Sequence, residues 1–180
     1  TTAYSGVNYS EAVVFEGKKK SAEATLRLAD TTTDASKLRI ARAHLIVDPS
    51  MQGIRVTEVI ALRNAGDATY AGAPLQLPLF EGAAQLEADK NTVPSLRLEG
   101  GALRFGGYLR PGDTQIQYDY TLPLTGSFQR KTMLPIEKLF VVLTKPRFKL
   151  SGASLKEVRE MSRKGTSFLL AQGGPIAAGG

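Results

Sequence analysis

The sequence predicts an all-β protein on three observations. Apolar and polar residues alternate on both sides of a turn between Lys37 and Asn64, because side chains alternate across a strand. Leu38, Ile40, His44 and Ile46 then share one face of the first strand, and Ile54, Val56, Glu58, Ile60 and Leu62 share one face of the second. Glu99-Gly-Gly-Ala102 joins two further alternating runs through a two-residue loop, where the primed turns that close a hairpin need the positive φ that glycine adopts freely. Arg110-Pro-Gly-Asp113 is a tight turn that launches Ile116, Tyr118, Tyr120 and Leu122 onto one aromatic core face.

The other elements follow in chain order. Residues 3–9, 12–15 and 22–28 are short β-compatible runs, and Ala22, Ala24, Leu26 and Leu28 alternate with polar residues. Asp30-Thr-Thr-Thr-Asp34 interrupts the pattern with side chains that compete for backbone hydrogen bonds, so it reads as a connector and a domain boundary. Strands are expected at 75–80, 96–98, 103–105, 114–122, 138–144 and 148–150, with the turn spacing of a β-sandwich of immunoglobulin-like or transthyretin-like type. Residues 154–164 place Leu155, Val158 and Met161 at helical intervals before Gly165, but a basic edge strand over 156–162 turning at 163–166 into a strand over 167–171 is favoured. After Ala171 the chain is Gly-rich with little apolar material, which reads as a tail or linker over 172–180.

Composition bounds the function. A chain of 180 residues, 42% hydrophobic and 22% charged, can bury a core of its own. The absence of cysteine excludes disulfides, thiolate metal sites and cysteine nucleophiles. No apolar run approaches the roughly 18 to 20 residues that span a bilayer, and no signal-peptide pattern opens the chain. The first residue is Thr, which reads as a processed product or excised fragment, with room for a signal or anchor outside it.

The net charge of +6 is concentrated at one end of the sequence. Lys145, Arg147, Lys149, Lys156, Arg159, Arg163 and Lys164 face only Glu157 and Glu160 in that stretch. Such residues commonly protect sheet edges. The same patch also suits anionic lipid, an acidic polymer or an acidic partner, and on that reading it carries the principal external interaction. Nucleic acid is not expected, since no zinc-finger spacing, RNP-type aromatic motif or helix-turn-helix pattern accompanies the charge.

The catalytic inventory is short. A Ser-His-Asp triad would have to use His44, the single histidine, and there is no Gly-x-Ser-x-Gly elbow. Paired glycines lack the following Lys-Ser/Thr of a phosphate loop. Asp30 with Asp34, and Glu87 with Asp89, sit in polar connectors and read as solvated turns rather than calcium ligands. No enzyme activity, cofactor or metal is therefore expected. One polar pair stands out. With Asp48 opposite Ile54 across the loop 49–53, His44 falls opposite Glu58 on faces rich in Leu, Ile and Val. A carboxylate there must be paired or hydrogen-bonded. The pair reads as structural, pinning the register, with a pH-sensitive contact as its functional alternative.

Ala3-Tyr-Ser-Gly-Val-Asn-Tyr9, Thr31-Thr-Thr-Asp-Ala-Ser-Lys37, Ala41-Arg-Ala-His-Leu-Ile-Val47, the run Thr57 to Tyr70 and Arg110-Pro-Gly-Asp113 together resemble bacterial envelope proteins with a carboxypeptidase-regulatory-like β-domain followed by a second β-sandwich. The resemblance implies that residues 1–33 are the last strands of the first domain, that 34–171 form the second, and that the Gly-rich end precedes an anchor. It further implies an exported, non-catalytic module at the periplasmic or extracellular face of the envelope. Such a module works with a protein partner or a second copy of itself and supports a membrane-anchored complex. The alternative is a carbohydrate-binding module that stacks sugars on Tyr4, Tyr9, Tyr70 and Tyr108, although tryptophan is absent.

Overall fold

The computed structural model describes residues 1–13, 17, 21, 23–51, 53–88, 96–124, 128–144, 155–163 and 165–179, and of 156, 157 and 163 only the strand position. The described strands are β1 (Thr2–Tyr4), β2 (Val7–Tyr9), β3 (Thr31–Thr32), β4 (Leu38–Ser50), β5 (Gly53–Asn64), β6 (Thr69–Tyr70) and β7 (Leu75–Pro78). They continue as β8 (Ala84–Ala88), β9 (Leu96–Glu99), β10 (Ala102–Phe105), β11 (Gly112–Leu122), β12 (Leu139–Thr144), β13 (Leu155–Arg163) and β14 (Thr166–Gly173). No helix occurs among the described residues, and the architecture is an all-β sandwich.

One layer is a seven-stranded sheet in the order β13-β14-β12-β4-β5-β11-β8, antiparallel except where β12 runs parallel to β4. The other is the three-stranded sheet β7-β10-β9. The core forms between them because Ile54, Val56, Ile60 and Leu62 of β5 and Ile116, Tyr118, Tyr120 and Leu122 of β11 meet Leu75, Leu77, Leu103 and Phe105. The expected aromatic face of β11 is thus the centre of the protein. The Gly100-Gly101 hairpin also forms as expected, with Glu99 opposite Ala102 and both glycines at positive φ. β13 and β14 pair antiparallel as the expected hairpin, with Arg163 opposite Thr166, and β13 is a strand rather than a helix.

The β4–β5 hairpin departs from the expected register in one instructive way. Ile40 faces Leu62, as that register requires, but a bulge at Ala41 then shifts every later pair by one residue. His44 therefore faces Val59, Leu45 faces Glu58, and Asp48 faces Arg55. Because the side-chain period is two, the shift moves Ala43, Leu45 and Val47 to the core side and turns His44 and Ile46 outward. The hairpin also closes more tightly than the loop 49–53 suggests, with Ser50 opposite Gly53.

Three other expectations change. Residues 23–30 form no strand, and Ala24 and Leu28 are exposed, since a run so rich in alanine offers little area to bury. The expected boundary near residue 33 is crossed by contacts: Tyr9 is buried, donates to the Ala29 carbonyl and hydrogen-bonds Thr69, and Arg110 lies over its ring. Residues 172–179 of the Gly-rich end are no free tail, because β14 runs to Gly173, Ile176 exchanges backbone bonds with Ile136 and packs on the core, and the Gly179 amide donates to the Thr132 carbonyl. Strand 148–150 lies outside the described residues.

Gly53 has φ +147°, and a Cβ there would overlap the Leu122 carbonyl of the neighbouring strand. Gly53→Ala should lower stability by about 2 kcal/mol or more, read as a reduced urea midpoint at unchanged m-value.

Candidate functional site

Glu58 sits mid-strand on the core face of β5, only 1% exposed. A buried carboxylate needs donors for both oxygens. The Arg130 guanidinium supplies a fork, Nη1 to Oε1 at 2.5 Å and Nη2 to Oε2 at 2.6 Å. The β5–β11 register places Tyr118 directly opposite Glu58 and Tyr120 one pleat along the same face. Their hydroxyls donate to Oε2 at 3.0 Å and Oε1 at 2.6 Å. Arg130 also donates to the Pro78 carbonyl at 3.0 Å and lies 4.8 Å from the Phe80 ring centre. Burial and the neighbouring carboxylate push both tyrosine pKa values up. For Arg130, burial opposes the charge, but Glu58 outweighs it and raises the pKa above the ordinary guanidinium value. The result is a closed network with both carboxylate oxygens engaged. It suits positioning of residues 128–134 against the sheet rather than proton transfer.

Arg130 and Tyr118 also contribute to the wall of a cavity of about 340 Å³, within the range of small-molecule pockets. Its sheet side comes from Ile40, Ala43 and Ile60 and, on the neighbouring β12, Leu139 and Val141, and Ile176 also lines it.

The sequence-predicted site residues are distributed differently. His44 and Glu58 do not pair, because the bulge at Ala41 puts them on opposite faces; His44 stacks on Phe140 with ring centres 4.8 Å apart. Burial, then the Arg42 charge, lowers the His44 pKa. The demand that Glu58 be paired holds, but the partner is Arg130, some 70 residues on. Sequence periodicity missed Arg130 because it lies outside any strand, in Phe128-Gln-Arg-Lys-Thr132. The available signal was indirect: a carboxylate and two tyrosine hydroxyls on core faces require a cation or donors nearby.

Of the basic group, Lys145, Arg147, Lys149 and Lys164 lie outside the described residues, Lys156 and Arg163 are placed only as positions on β13, and Arg159 is exposed on that edge strand. Asp34 accepts from the Ser36 amide and hydroxyl, and Asp30 accepts from Tyr4. Glu87 is on β8, and Asp89 lies outside the described residues. Among the tyrosines proposed to stack sugars, Tyr9 and Tyr70 are buried, which leaves Tyr4 and Tyr108 exposed.

No protein-family model matches the chain, and no curated protein does. Among solved structures it is similar to an M1 zinc metallopeptidase from Deinococcus radiodurans, at 14% identity over 77% of this chain and 39% of that one, with a TM-score of 0.41. It is also similar to a two-domain M1 zinc metallopeptidase variant bound to L-tryptophan, at 12% identity over 77% of this chain and 40% of that one, with a TM-score of 0.40. The chain spans about two fifths of the length of either.

Arg130→Met should cost about 3–5 kcal/mol, because it leaves a buried carboxylate uncompensated. Combining it with Glu58→Gln should cost less than the sum of the single changes, as denaturation of the four proteins in a double-mutant cycle will show. The raised tyrosine pKa values carry a separate consequence. The stability contributed by the neutral hydroxyls is complete below the ordinary value of 10.0 and is lost as pH rises beyond it, because the unfolded chain releases those protons first. Tyr120→Phe should make that alkaline loss shallower in a pH series of thermal melts.

Proposed function

We propose that the protein is a non-catalytic β-sandwich module of the bacterial cell envelope that docks a protein partner through the outer face of its seven-stranded sheet, supporting a membrane-anchored complex. The observation that carries this reading is the division of that face into two unlike halves. Over β5 and β11 it is polar, with Arg63 paired to Asp113 at 2.7 Å, Thr57 bonded to Asp119, and Gln115 and Gln117 between them. Over β4, β12 and β14 it carries His44, Ile46, Phe140, Val142, Phe168 and Leu170, all half-buried and covered by no described strand. An outer sheet face is ordinarily polar, and a contiguous apolar one marks an interaction surface. Met161, 51% exposed, extends the patch onto β13 opposite Phe168.

The border favours an acidic partner. Arg42 is exposed next to His44, and Arg159 is paired with Leu170 on the same face. The remaining basic residues around β13 add to this charge in sequence. The envelope location rests on the sequence resemblance to exported modules.

The test is purification of the native protein from envelope extracts beside a Phe140→Glu/Leu170→Glu variant of the same chain. The parent should retain a stoichiometric protein partner, with retention falling as salt rises, and the variant should lose it while keeping its far-UV circular dichroism. Equal retention by both proteins, or a parent that retains nothing, would show that this face is not an interface.

A further inference from the structure

The cavity lies on the opposite side of the same sheet, and its chemistry points to a different ligand. We propose that it binds an amphiphile with a single apolar chain and an anionic head group, the chain filling the cavity and the head lying at Lys131. The lining is apolar on the sheet side and on the side of Leu77 and Phe80, while most of its polar side chains come from one stretch, residues 129–132. A ligand that fits this distribution has one long apolar part and one polar end. Apolar cavities hold water poorly, and their walls lack dispersion partners until something apolar enters.

The sign of the head group follows from the charges. The cavity lining contains Arg130 and Lys131 and, among the described residues, no aspartate or glutamate. Arg130 is answered by Glu58 behind it, whereas Lys131 is exposed with no carboxylate at ion-pair distance among the described residues. Among the described residues, one uncompensated cation therefore stands at the polar end of an apolar cavity. A neutral chain would gain the burial alone, and a cationic head would meet repulsion. A partner's apolar side chain would use the cavity without needing Lys131, so the charge separates the two occupants.

The full chain should be titrated calorimetrically with dodecanoate below its micellar range, and with dodecanol as the uncharged probe. Dodecanoate should bind saturably at one site per chain and more tightly than dodecanol. Ala43→Leu, which fills the sheet side, should weaken both probes at least tenfold, and Leu139→Trp, at a half-exposed position of the lining, provides the same block should the first variant prove unstable in a thermal melt. Lys131→Glu, a surface change, should weaken dodecanoate roughly fivefold at low salt and leave dodecanol unchanged. The proposal is overturned if dodecanoate does not bind saturably, if binding survives both blocking variants, or if Lys131→Glu affects the two probes alike. The docking variant Phe140→Glu/Leu170→Glu should bind dodecanoate as the parent does, so failure here and failure of the docking surface are separable.

Discussion

The structure depends on keeping a carboxylate buried in the middle of its largest sheet. Glu58 is only 1% exposed, so its charge is sustained by the Arg130 fork and the two tyrosine hydroxyls. Each donor comes from a different structural commitment. The β5–β11 register brings the tyrosines, and residues 128–134 bring the arginine. Slipping β11 by one residue would turn Tyr118 and Tyr120 away from the core and leave the carboxylate short of donors. Apolar burial alone would tolerate several packings of β-branched and aromatic residues; the network discriminates among them.

The bulge at Ala41 is the second constraint, and it acts on β4 alone. Before it, Leu38 and Ile40 point into the core; after it, Ala43, Leu45 and Val47 do. An extra residue at that point keeps both ends of a long strand apolar on the inside although the sequence changes parity. On the outside the same shift sets Ile46 and His44 beside Val142 and Phe140. The bulge therefore selects which β4 side chains join the outer patch, while β12 and β14 supply Phe140, Val142, Phe168 and Leu170.

The two faces of the half-sheet β4-β12-β14 have separate surroundings. Inside, Val141, Leu143 and Ala171 form a small cluster with Leu45, Val47 and Leu169, and the cavity opens where the three-stranded layer gives way to the 128–134 segment. Arg130 links that segment to the core through Pro78 and Phe80, so the cavity wall is held by the same group that neutralises Glu58. The bound segment 174–179 closes another side through Ile176.

Sequence by itself determined the class of fold, the Gly-Gly hairpin and the aromatic core strand, because each is a local property of alternation and turn chemistry, whereas residues 154–164 read as either helix or edge strand until β13 paired with β14. It also determined that Glu58 needs a partner, since that demand follows from a charge on an apolar face. Which partner, and which face His44 takes, were decided by tertiary structure. The change of parity is masked because Ala43-His-Leu-Ile-Val47 is apolar at nearly every position, and one residue of slip exchanges the faces. Arg130 lies far along the chain in a segment without periodicity, and only closure of the sandwich brings it to Glu58. The docking of Ile176 in a Gly-rich stretch has the same origin: a single apolar side chain gives no pattern to read, and its burial depends on a groove that other strands build.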